Sequence, residues 1–137
     1  QRKCGRIVNI GSIFGSIGFA CFANYSATKF AVRGFSEALR RELEGSGVGV
    51  TYVAPRYTKT PINAGAASRM AAALKMNMDE PELVAANIVR AIEGEAKDYY
   101  IGFPECLFVR INAILPRVVD GALRKQSGQM KEFAVNE

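Results

Sequence analysis

Three segments between residues 5 and 54 decide the fold, namely GRIVNI at 5–10, NYSATKFAVRGFSEALRREL at 24–43 and VGVTYVA at 48–54. The first and third are short apolar runs with β-branched residues, which predicts two buried strands. In the middle segment, apolar residues recur at helical spacing with charged residues opposite, which predicts an amphipathic helix that ends at the GSG of 45–47. Together the segments predict a right-handed βαβ unit with parallel strands.

The sequence after the second strand predicts two helices and a third strand. Residues 62–78, rich in alanine and methionine, indicate a weak helix that either packs loosely at the surface or lines an adaptable apolar pocket. Asp79, with Glu82 three residues later, is interpreted as the N-cap of an amphipathic helix that ends at Gly94. The segment DYYIG at 98–102 predicts the third strand.

The C-terminal part of the sequence predicts an apolar helix over residues 106–124, which Pro116 interrupts and which carries several basic residues. An apolar face with basic residues can lie on a membrane surface, so peripheral membrane contact through residues 106–125 is one interpretation. Packing against the domain or against a partner subunit is the other. The polar sequence after Ser127 predicts a frayed terminus.

The composition limits the classes of protein to which this chain can belong. With 137 residues, 49% of them hydrophobic and 23% charged, it is typical of one globular domain or of part of a larger one. The net charge is +5, but the basic residues are scattered and paired with acids, which argues against nucleic-acid binding. Histidine is absent, which excludes a Ser-His-Asp mechanism and most zinc sites within this chain.

The cysteines and the hydropathy of the chain bear on its location. Three cysteines lie far apart and without CxxC spacing, which argues against a disulfide framework or a metal site and favours a reducing cytoplasm. No apolar run is long enough to span a membrane. We therefore expect a cytoplasmic protein, peripheral to a membrane if the surface interpretation of residues 106–125 holds.

Ser12, Tyr25 and Lys29 form a candidate proton-transfer site. Tyr25 and Lys29 stand four residues apart in the predicted helix, so their side chains share a face. A lysine ammonium close to a tyrosine favours the phenolate and makes the hydroxyl a better acid–base group at neutral pH. Ser12 follows the end of the first strand, where its hydroxyl can be aimed at the same space. Such a trio can bind a carbonyl oxygen while the tyrosine transfers a proton.

The strings GRIVNIGS and YSATKFAVRGFSEALRREL, followed by VGVTYVAP and Thr60, closely resemble the short-chain dehydrogenase/reductase family. The resemblance runs from Gly5 to about Ile62 and continues more loosely to Gly102. It implies an α/β fold, here part of a Rossmann-type doubly wound parallel sheet, and an oxidoreductase that interconverts an alcohol and a ketone with NAD or NADP. It also implies a homodimer or homotetramer, because the family usually builds subunit contacts from the helix that carries Tyr25.

The same resemblance assigns roles to the candidate trio. Tyr25 is the expected catalytic acid/base and also a cofactor contact. Lys29 is expected to favour its phenolate and to bind the nicotinamide ribose, and Ser12 is expected to orient the substrate. Asn9 matches a position of the family's N-[IV]-x-S string and is interpreted as structural.

The loop after the second strand resembles the family's Pro-Gly-x-x-x-Thr segment, which meets the nicotinamide carboxamide. Pro55 and Thr60 match that pattern, and Thr58 stands where the family makes a backbone contact, so all three are candidate cofactor-binding residues. Arg56 replaces the family's glycine and is a fourth candidate. Its side chain either points out toward a substrate or cofactor phosphate, or crowds the site and weakens cofactor binding.

The glycine-rich turn by which this family binds a dinucleotide should precede Gly5, and the sequence does not contain it. Residues 1–137 are therefore interpreted as the C-terminal part of a single short-chain dehydrogenase/reductase Rossmann domain, without its N-terminal dinucleotide-binding part. We expect the intact protein to have residues upstream, and the fragment alone to be inactive. The missing part would also decide between NAD and NADP.

The methionine- and alanine-rich segment and the apolar C-terminal helix favour a large apolar substrate, such as a lipid or steroid-like ketone. Two alternatives stand beside this interpretation. One is a non-catalytic binding or regulatory protein that keeps the fold without the cofactor, for which Arg56 and the missing glycine turn are the evidence. The other is a membrane-surface protein attached through residues 106–125.

Overall fold

A computed structural model of the chain describes residues 3–63 and 65–135. The strands are β1 (Gly5–Ile10), β2 (Val48–Ala54), β3 (Tyr57–Thr58), β4 (Met78–Asp79) and β5 (Asp98–Tyr100). The helices are α1 (Ala23–Glu42), α2 (Ala66–Ala73), α3 (Pro81–Glu93), α4 (Glu105–Ile114) and α5 (Pro116–Val135), with short 3-10 helices at Ile13–Gly15 and Pro61–Asn63. Strands β1, β2 and β5 form a parallel sheet in that order, and β3 pairs with β4 in a small second sheet.

The βαβ unit predicted from the sequence is confirmed. Strands β1 and β2 have the predicted bounds, and α1 begins one residue earlier than predicted. The two strands pair in parallel, from Gly5 opposite Val48 to Ile10 opposite Val53, and α1 connects them. The predicted third strand is β5, which pairs in parallel with the other edge of β2.

Helical segments cover both faces of the central strand β2. Successive side chains of a strand point to opposite faces of the sheet. Val53 packs in an apolar cluster with Val84 and Ala91 of α3, whereas the neighbouring Tyr52 lies on the other face, against the segment that leads into α1. Residues 50–54 are therefore buried throughout, and the structure has the predicted α/β class, with a doubly wound parallel sheet.

Polar side chains connect α1 to the sheet beneath it. Asn9 donates a hydrogen bond to the hydroxyl of Ser36 in α1 (2.9 Å), which agrees with a structural role for Asn9. Arg40 of α1 donates to the backbone carbonyls of Val50 in β2 (3.2 Å) and of Lys97 just before β5 (2.6 Å). One guanidinium thus joins the helix to two neighbouring strands.

The prediction of Asp79 as a helix N-cap is wrong. Asp79 pairs with Thr58 in the β3–β4 sheet, and α3 begins at Pro81, with Glu80 in the N-cap position and no side-chain cap. Proline suits the first helical position because it lacks the N–H that would be unsatisfied there and its φ is already helical. The carboxylate of Asp79 is paired instead with Arg56.

Two further helix predictions are confirmed, with different bounds. The weak helix expected within residues 62–78 is the eight-residue α2, after which the chain enters β4. The interruption expected at Pro116 lies between α4, which ends at Ile114, and α5, in which the proline occupies a first-turn position. Helix α5 continues to Val135, so the frayed terminus predicted after Ser127 is wrong over the described residues, and Met130 within it is fully buried.

Candidate active site

The carboxyl ends of β1 and β2 open onto a cavity of about 490 Å³. In a parallel sheet, side chains that follow neighbouring strands meet at this edge. Five of the seven predicted site residues line the cavity together: Ser12, Tyr25, Pro55, Arg56 and Thr58. The other two, Lys29 and Thr60, lie outside its lining.

Hydrogen bonds to both the side chain and the backbone carbonyl of Ser12 fix its position. It lies directly after β1, and its Oγ accepts a hydrogen bond from the backbone N–H of Phe14 (3.2 Å), which caps the 3-10 helix Ile13–Gly15. Its carbonyl accepts a hydrogen bond from the hydroxyl of Tyr52 (3.2 Å). A hydroxyl has one donor and two acceptor sites, and no described residue accepts from the Ser12 hydroxyl. Its proton is therefore available to a molecule in the cavity.

Tyr25 and Lys29 share a face of α1, as their spacing predicts. The Lys29 ammonium lies 5.6 Å from the centroid of the Tyr25 ring. The Tyr25 ring contacts Phe14 and Phe22 edge-on, at centroid distances of 5.9 and 6.4 Å, and is 45% exposed. Within residues 3–63 and 65–135, no ion pair engages Lys29. The structure therefore brings a half-exposed tyrosine and a lysine without an ion pair together on one face of α1, beside the cavity that Tyr25 lines.

Arg56 is held by two carboxylates. Its Nη2 and Nε bind both oxygens of Asp79 (2.7 and 2.9 Å), and its Nη1 binds Glu105 (2.9 Å) and the carbonyl of Phe103 (3.1 Å). The hydrogen bonds to Asp79, despite the opposing effect of burial, raise the pKa of the guanidinium, so it stays charged. The guanidinium is therefore already paired with carboxylates of this chain, and whether Arg56 contacts a cofactor or substrate or crowds the site stays a prediction.

Thr58 and Thr60 are held in different ways. Thr58 lies in β3 and its hydroxyl donates to the carbonyl of Arg56 (3.3 Å), so it stays beside the cavity. The hydroxyl of Thr60 accepts a hydrogen bond from the side chain of Asn63 (3.2 Å), in the turn that Pro61 begins. Pro55 precedes both and accepts at its carbonyl from the N–H of Ile13 (3.1 Å), which links the two strand-end loops.

The rest of the cavity wall is predominantly apolar. Its side chains come from the loop after β1, from α2 and from α4 and α5: Phe14, Phe19, Phe22, Met70, Leu74, Phe108 and Leu123. Two of the three methionines in the segment after Thr60 also line it, Met70 and Met76. Of the two interpretations of that segment, this placement favours the apolar pocket.

Sequence reasoning missed three residues that hold site residues in place through hydrogen bonds. Asp79 and Glu105 were not connected with Arg56, since they follow it by 23 and 49 residues. Tyr52 was counted as one apolar residue of a buried strand. The available signal was its hydroxyl, because a tyrosine at the centre of a buried strand needs a hydrogen-bond partner.

Comparison with known proteins connects this geometry with one family. Residues 1–71 match the family described as short chain dehydrogenase. Over 126 residues, 88% of this chain, the sequence is 34% identical to the uncharacterized oxidoreductase YxnA of Bacillus subtilis and covers 35% of that protein. Over 62 residues, 45% of this chain, it is 48% identical to an acetoacetyl-CoA reductase of Acinetobacter and covers 25% of it.

Solved structures agree on the fold. A short chain dehydrogenase from Burkholderia cenocepacia, crystallised in complex with NADP, superposes with a TM-score of 0.74 at 22% identity, over 88% of this chain and 47% of that one. A short-chain dehydrogenase from Streptomyces avermitilis gives a TM-score of 0.64 at 27% identity, over 92% and 52%. The matched region thus spans about a third of the length of the Bacillus subtilis protein and about half of the length of these two solved chains.

Proposed function

Because this chain belongs to the short-chain dehydrogenase family, we propose that it carries the proton-transfer site of an oxidoreductase that interconverts an alcohol and a ketone. The observation that carries the proposal is the convergence of Ser12 and Tyr25 on one cavity, with the unpaired ammonium of Lys29 beside the tyrosine ring. The chain covers only part of its relatives, so the activity is proposed for the full-length protein.

The residues present fit a nicotinamide dinucleotide, either NAD or NADP. Lys29 is available to ribose hydroxyls because no carboxylate of the described chain neutralises it, and Pro55 and Thr58 line the cavity at the end of β2. Arg56 lies between them and also lines the cavity, and Thr60 follows two residues after Thr58. When bound, the nicotinamide supplies or accepts the hydride. The family relationship and the complex of the Burkholderia protein with NADP support this assignment.

The residues of this chain then divide the remaining chemistry. The hydroxyls of Ser12 and Tyr25 hydrogen-bond the substrate oxygen, which orients the carbonyl carbon. Tyr25 gives its proton to that oxygen during reduction and takes it back during oxidation. Lys29 stabilises the phenolate that this leaves.

We propose an apolar substrate larger than a simple short ketone. The cavity has a volume in the range of small-molecule sites, and most of its wall consists of aromatic and aliphatic side chains. A lipid-like or ring-containing ketone would bury its apolar part against that wall while its carbonyl meets Ser12 and Tyr25. The similarity to the acetoacetyl-CoA reductase of Acinetobacter supports a ketone substrate.

Replacement of Tyr25 by phenylalanine tests the proposal directly. We expect Tyr25→Phe to abolish turnover of apolar ketones by the full-length protein and to leave NADPH and NADH affinity nearly unchanged, because only the proton donor is lost. Tyr57→Phe is the matched control: Tyr57 lines the same cavity, and its hydroxyl donates to the carbonyl of Asn63 (2.9 Å). Retained turnover in Tyr25→Phe contradicts the assigned roles.

A non-catalytic binding protein is the competing proposal, and the ion-paired Arg56 in the cavity lining is its support. Cofactor binding separates the two. If the natural protein does not bind NADPH and the variant Arg56→Gly does, the enzyme proposal fails. To avoid leaving a buried carboxylate unpaired, the variant should also carry Asp79→Asn.

Contacts outside the cavity are a separate matter. No helix of the described chain is both long and apolar enough to cross a membrane. At the α4–α5 junction, however, Ile114, Leu115 and Val118 are exposed beside Arg117, which supports contact with an anionic membrane surface. Co-sedimentation with anionic vesicles should fall in Ile114→Ser/Val118→Ser, and unchanged partitioning contradicts it.

Subunit contacts are proposed for the outer face of α1, where Phe30 and Phe35 are exposed. A homodimer or homotetramer would bury them, and sedimentation velocity of Phe35→Lys tests this. A cytoplasmic location is proposed from the free thiols of Cys4, Cys21 and Cys106.

A further inference from the structure

Tyr52 lies beneath the candidate site and is the least expected residue there. It belongs to the central strand β2, is fully buried, and does not line the cavity. Burial raises the pKa of its hydroxyl, which therefore stays a neutral donor. That hydroxyl donates a hydrogen bond to the backbone carbonyl of Ser12 (3.2 Å), 40 residues earlier in the sequence. Burying a phenol hydroxyl without a hydrogen-bond partner costs free energy. The bond to the Ser12 carbonyl therefore stabilises the folded state.

Two glycines make the space in which the hydroxyl lies. A Cβ atom on Gly11 would overlap the Tyr52 ring and its oxygen. A Cβ atom on Gly15 would lie 2.8 Å from the Tyr52 oxygen and 2.6 Å from the backbone carbonyl of Lys29. The hydroxyl therefore occupies a notch between these glycines, and the same Gly15 lets the 3-10 helix pack closely against α1 at Lys29.

A second tyrosine supports the same loop. The ring of Tyr100 in β5 packs edge-on against that of Tyr52, with centroids 6.2 Å apart. The hydroxyl of Ser16 donates to the Tyr100 hydroxyl (3.3 Å). Residues 12–16 are thus held at both ends, at Ser12 by Tyr52 of β2 and at Ser16 by Tyr100 of β5.

We propose that Tyr52 is a positioning residue. It fixes Ser12 and holds residues 12–16 in place against α1 at Lys29. The inference rests on the proposed function for its catalytic consequence. Tyr52 touches no substrate. Its hydroxyl sets the direction of the Ser12 carbonyl, and the Ser12 Oγ is constrained from the same residue by its cap to Phe14. Loss of the bond lets the serine hydroxyl drift from the substrate oxygen.

Tyr52→Phe in the full-length protein removes only the hydroxyl. Since a hydrogen bond of this kind is worth about 1 kcal/mol, we expect a fall in kcat of about fivefold with little change in cofactor KM. In a Ser12→Ala background the same substitution should cause no further fall, because the two residues act as one unit. Additive losses in the double variant overturn the proposal.

Tyr99→Phe is the matched control. Tyr99 is the residue of β5 next to Tyr100, and its hydroxyl also has one partner, the side chain of Asn87 (3.1 Å), away from the site. It should leave kcat unchanged. An equal fall in both variants would mean that Tyr52 contributes only general stability.

Hydrogen exchange tests the contact without any turnover. The amide of Gly15 donates to the same Ser12 carbonyl (2.9 Å), and that of Ser16 to Ile13 (2.9 Å). Both should exchange faster in Tyr52→Phe than in Tyr99→Phe, and equal rates overturn the inference. If the protein turns over no ketone, the proposed function fails while this result still decides the role of Tyr52. If Tyr52→Phe does not fold, 3-fluorotyrosine at position 52 should change the same two rates, and unchanged rates contradict the proposal.

Discussion

The two sides of the cavity fix their polar groups in different ways. One side, here called the α1 side, consists of Ser12, Phe14, Phe22 and Tyr25 with Lys29 behind them. Neutral hydrogen bonds to the backbone and helical geometry hold it: a 3-10 cap and the Tyr52 hydrogen bond fix Ser12, and one helical turn fixes Tyr25 relative to Lys29. Its hydroxyls and its ammonium remain available.

The other side, here called the Arg56 side, consists of Arg56, Asp79 and Glu105 with the apolar residues of α2 and α4. Charge holds it. Every nitrogen of the Arg56 guanidinium has an oxygen partner, so its polar groups are already satisfied. The difference supports the proposal that the α1 side carries the chemistry, whereas the Arg56 side gives the cavity its shape.

Removing the ammonium from the α1 side should have the largest effect. In Lys29→Met, we expect turnover to fall by about 10²- to 10⁴-fold, because the phenolate of Tyr25 loses its cation. The melting temperature should change little, since no ion pair of the described chain is lost. Steady-state kinetics with Arg41→Met as control checks this, because the ion pair that the described residues show for Arg41 is with Glu37, toward the far end of the same helix. Similar losses in both variants would remove the distinction between the sides.

Removing the guanidinium from the Arg56 side should affect stability first. Asp79 has only 3% of its side chain exposed, and a buried carboxylate that loses its partner costs about 3–5 kcal/mol. We expect Arg56→Met to lower the free energy of unfolding by about that amount, and Asp79→Asn to restore part of it. Chemical denaturation measures both.

The exposed pair of Lys59 and Glu80 is the control for charge loss. Lys59→Met should cost at most about 1 kcal/mol, since exposed ion pairs contribute little. If Arg56→Met is no more destabilising than Lys59→Met, the Arg56 side is not held by charge.

Narrowing the cavity on the Arg56 side should have a smaller effect, and that effect should depend on the size of the substrate. Leu74 is the C-cap residue of α2 and lines the cavity, so Leu74→Phe narrows the space for a large substrate. We expect kcat/KM for a bulky ketone to fall about tenfold while that for a small ketone is kept, since apolar size discrimination is worth about 1–3 kcal/mol. Leu83→Phe, exposed on α3, is the control. Equal losses for both ketones would assign a chemical role to the Arg56 side.

The smallest effect concerns pH. Because burial raises the pKa of Tyr52 above its value in the unfolded chain, the folded state retains this proton when the unfolded state has lost it. Stability is unaffected below pH 10 and falls as pH rises above it, by at most about 1.4 kcal/mol per unit. Tyr52→Phe should remove that part of the slope, as denaturation at pH 9 to 11 would show; an identical slope contradicts the burial of a neutral phenol.

The α1 side could be predicted from the sequence because its information is local. The four-residue spacing of Tyr25 and Lys29 and the strand before Ser12 are set by the periods of helix and strand. The Arg56 side could not, because its partners come from distant segments. Asp79 matched a helix-capping pattern, but in the structure its carboxylate forms an ion pair with Arg56. An ion pair between residues so far apart in sequence produces no periodic pattern from which it could be predicted.

The helix ends show the same division. Pro116 signals a break in a helical pattern, but the pattern does not tell an interruption from a new start. The polar sequence after Ser127 looked like a loose terminus, and only the packing of Met130 in the folded chain shows why α5 continues. Tyr52 counts as an apolar residue in the periodicity of the strand. The sequence pattern therefore did not predict that its hydroxyl would bond to Ser12.

The notch around Tyr52 restricts how this protein can evolve. Any side chain at Gly11 overlaps the tyrosine ring, so a substitution there is tolerated only after position 52 has become smaller. In the reverse order, a smaller residue at 52 leaves a void beneath Ser12 that glycine cannot fill. The two positions are therefore expected to be strongly epistatic in a mutational scan, with each single change harmful and some paired changes acceptable.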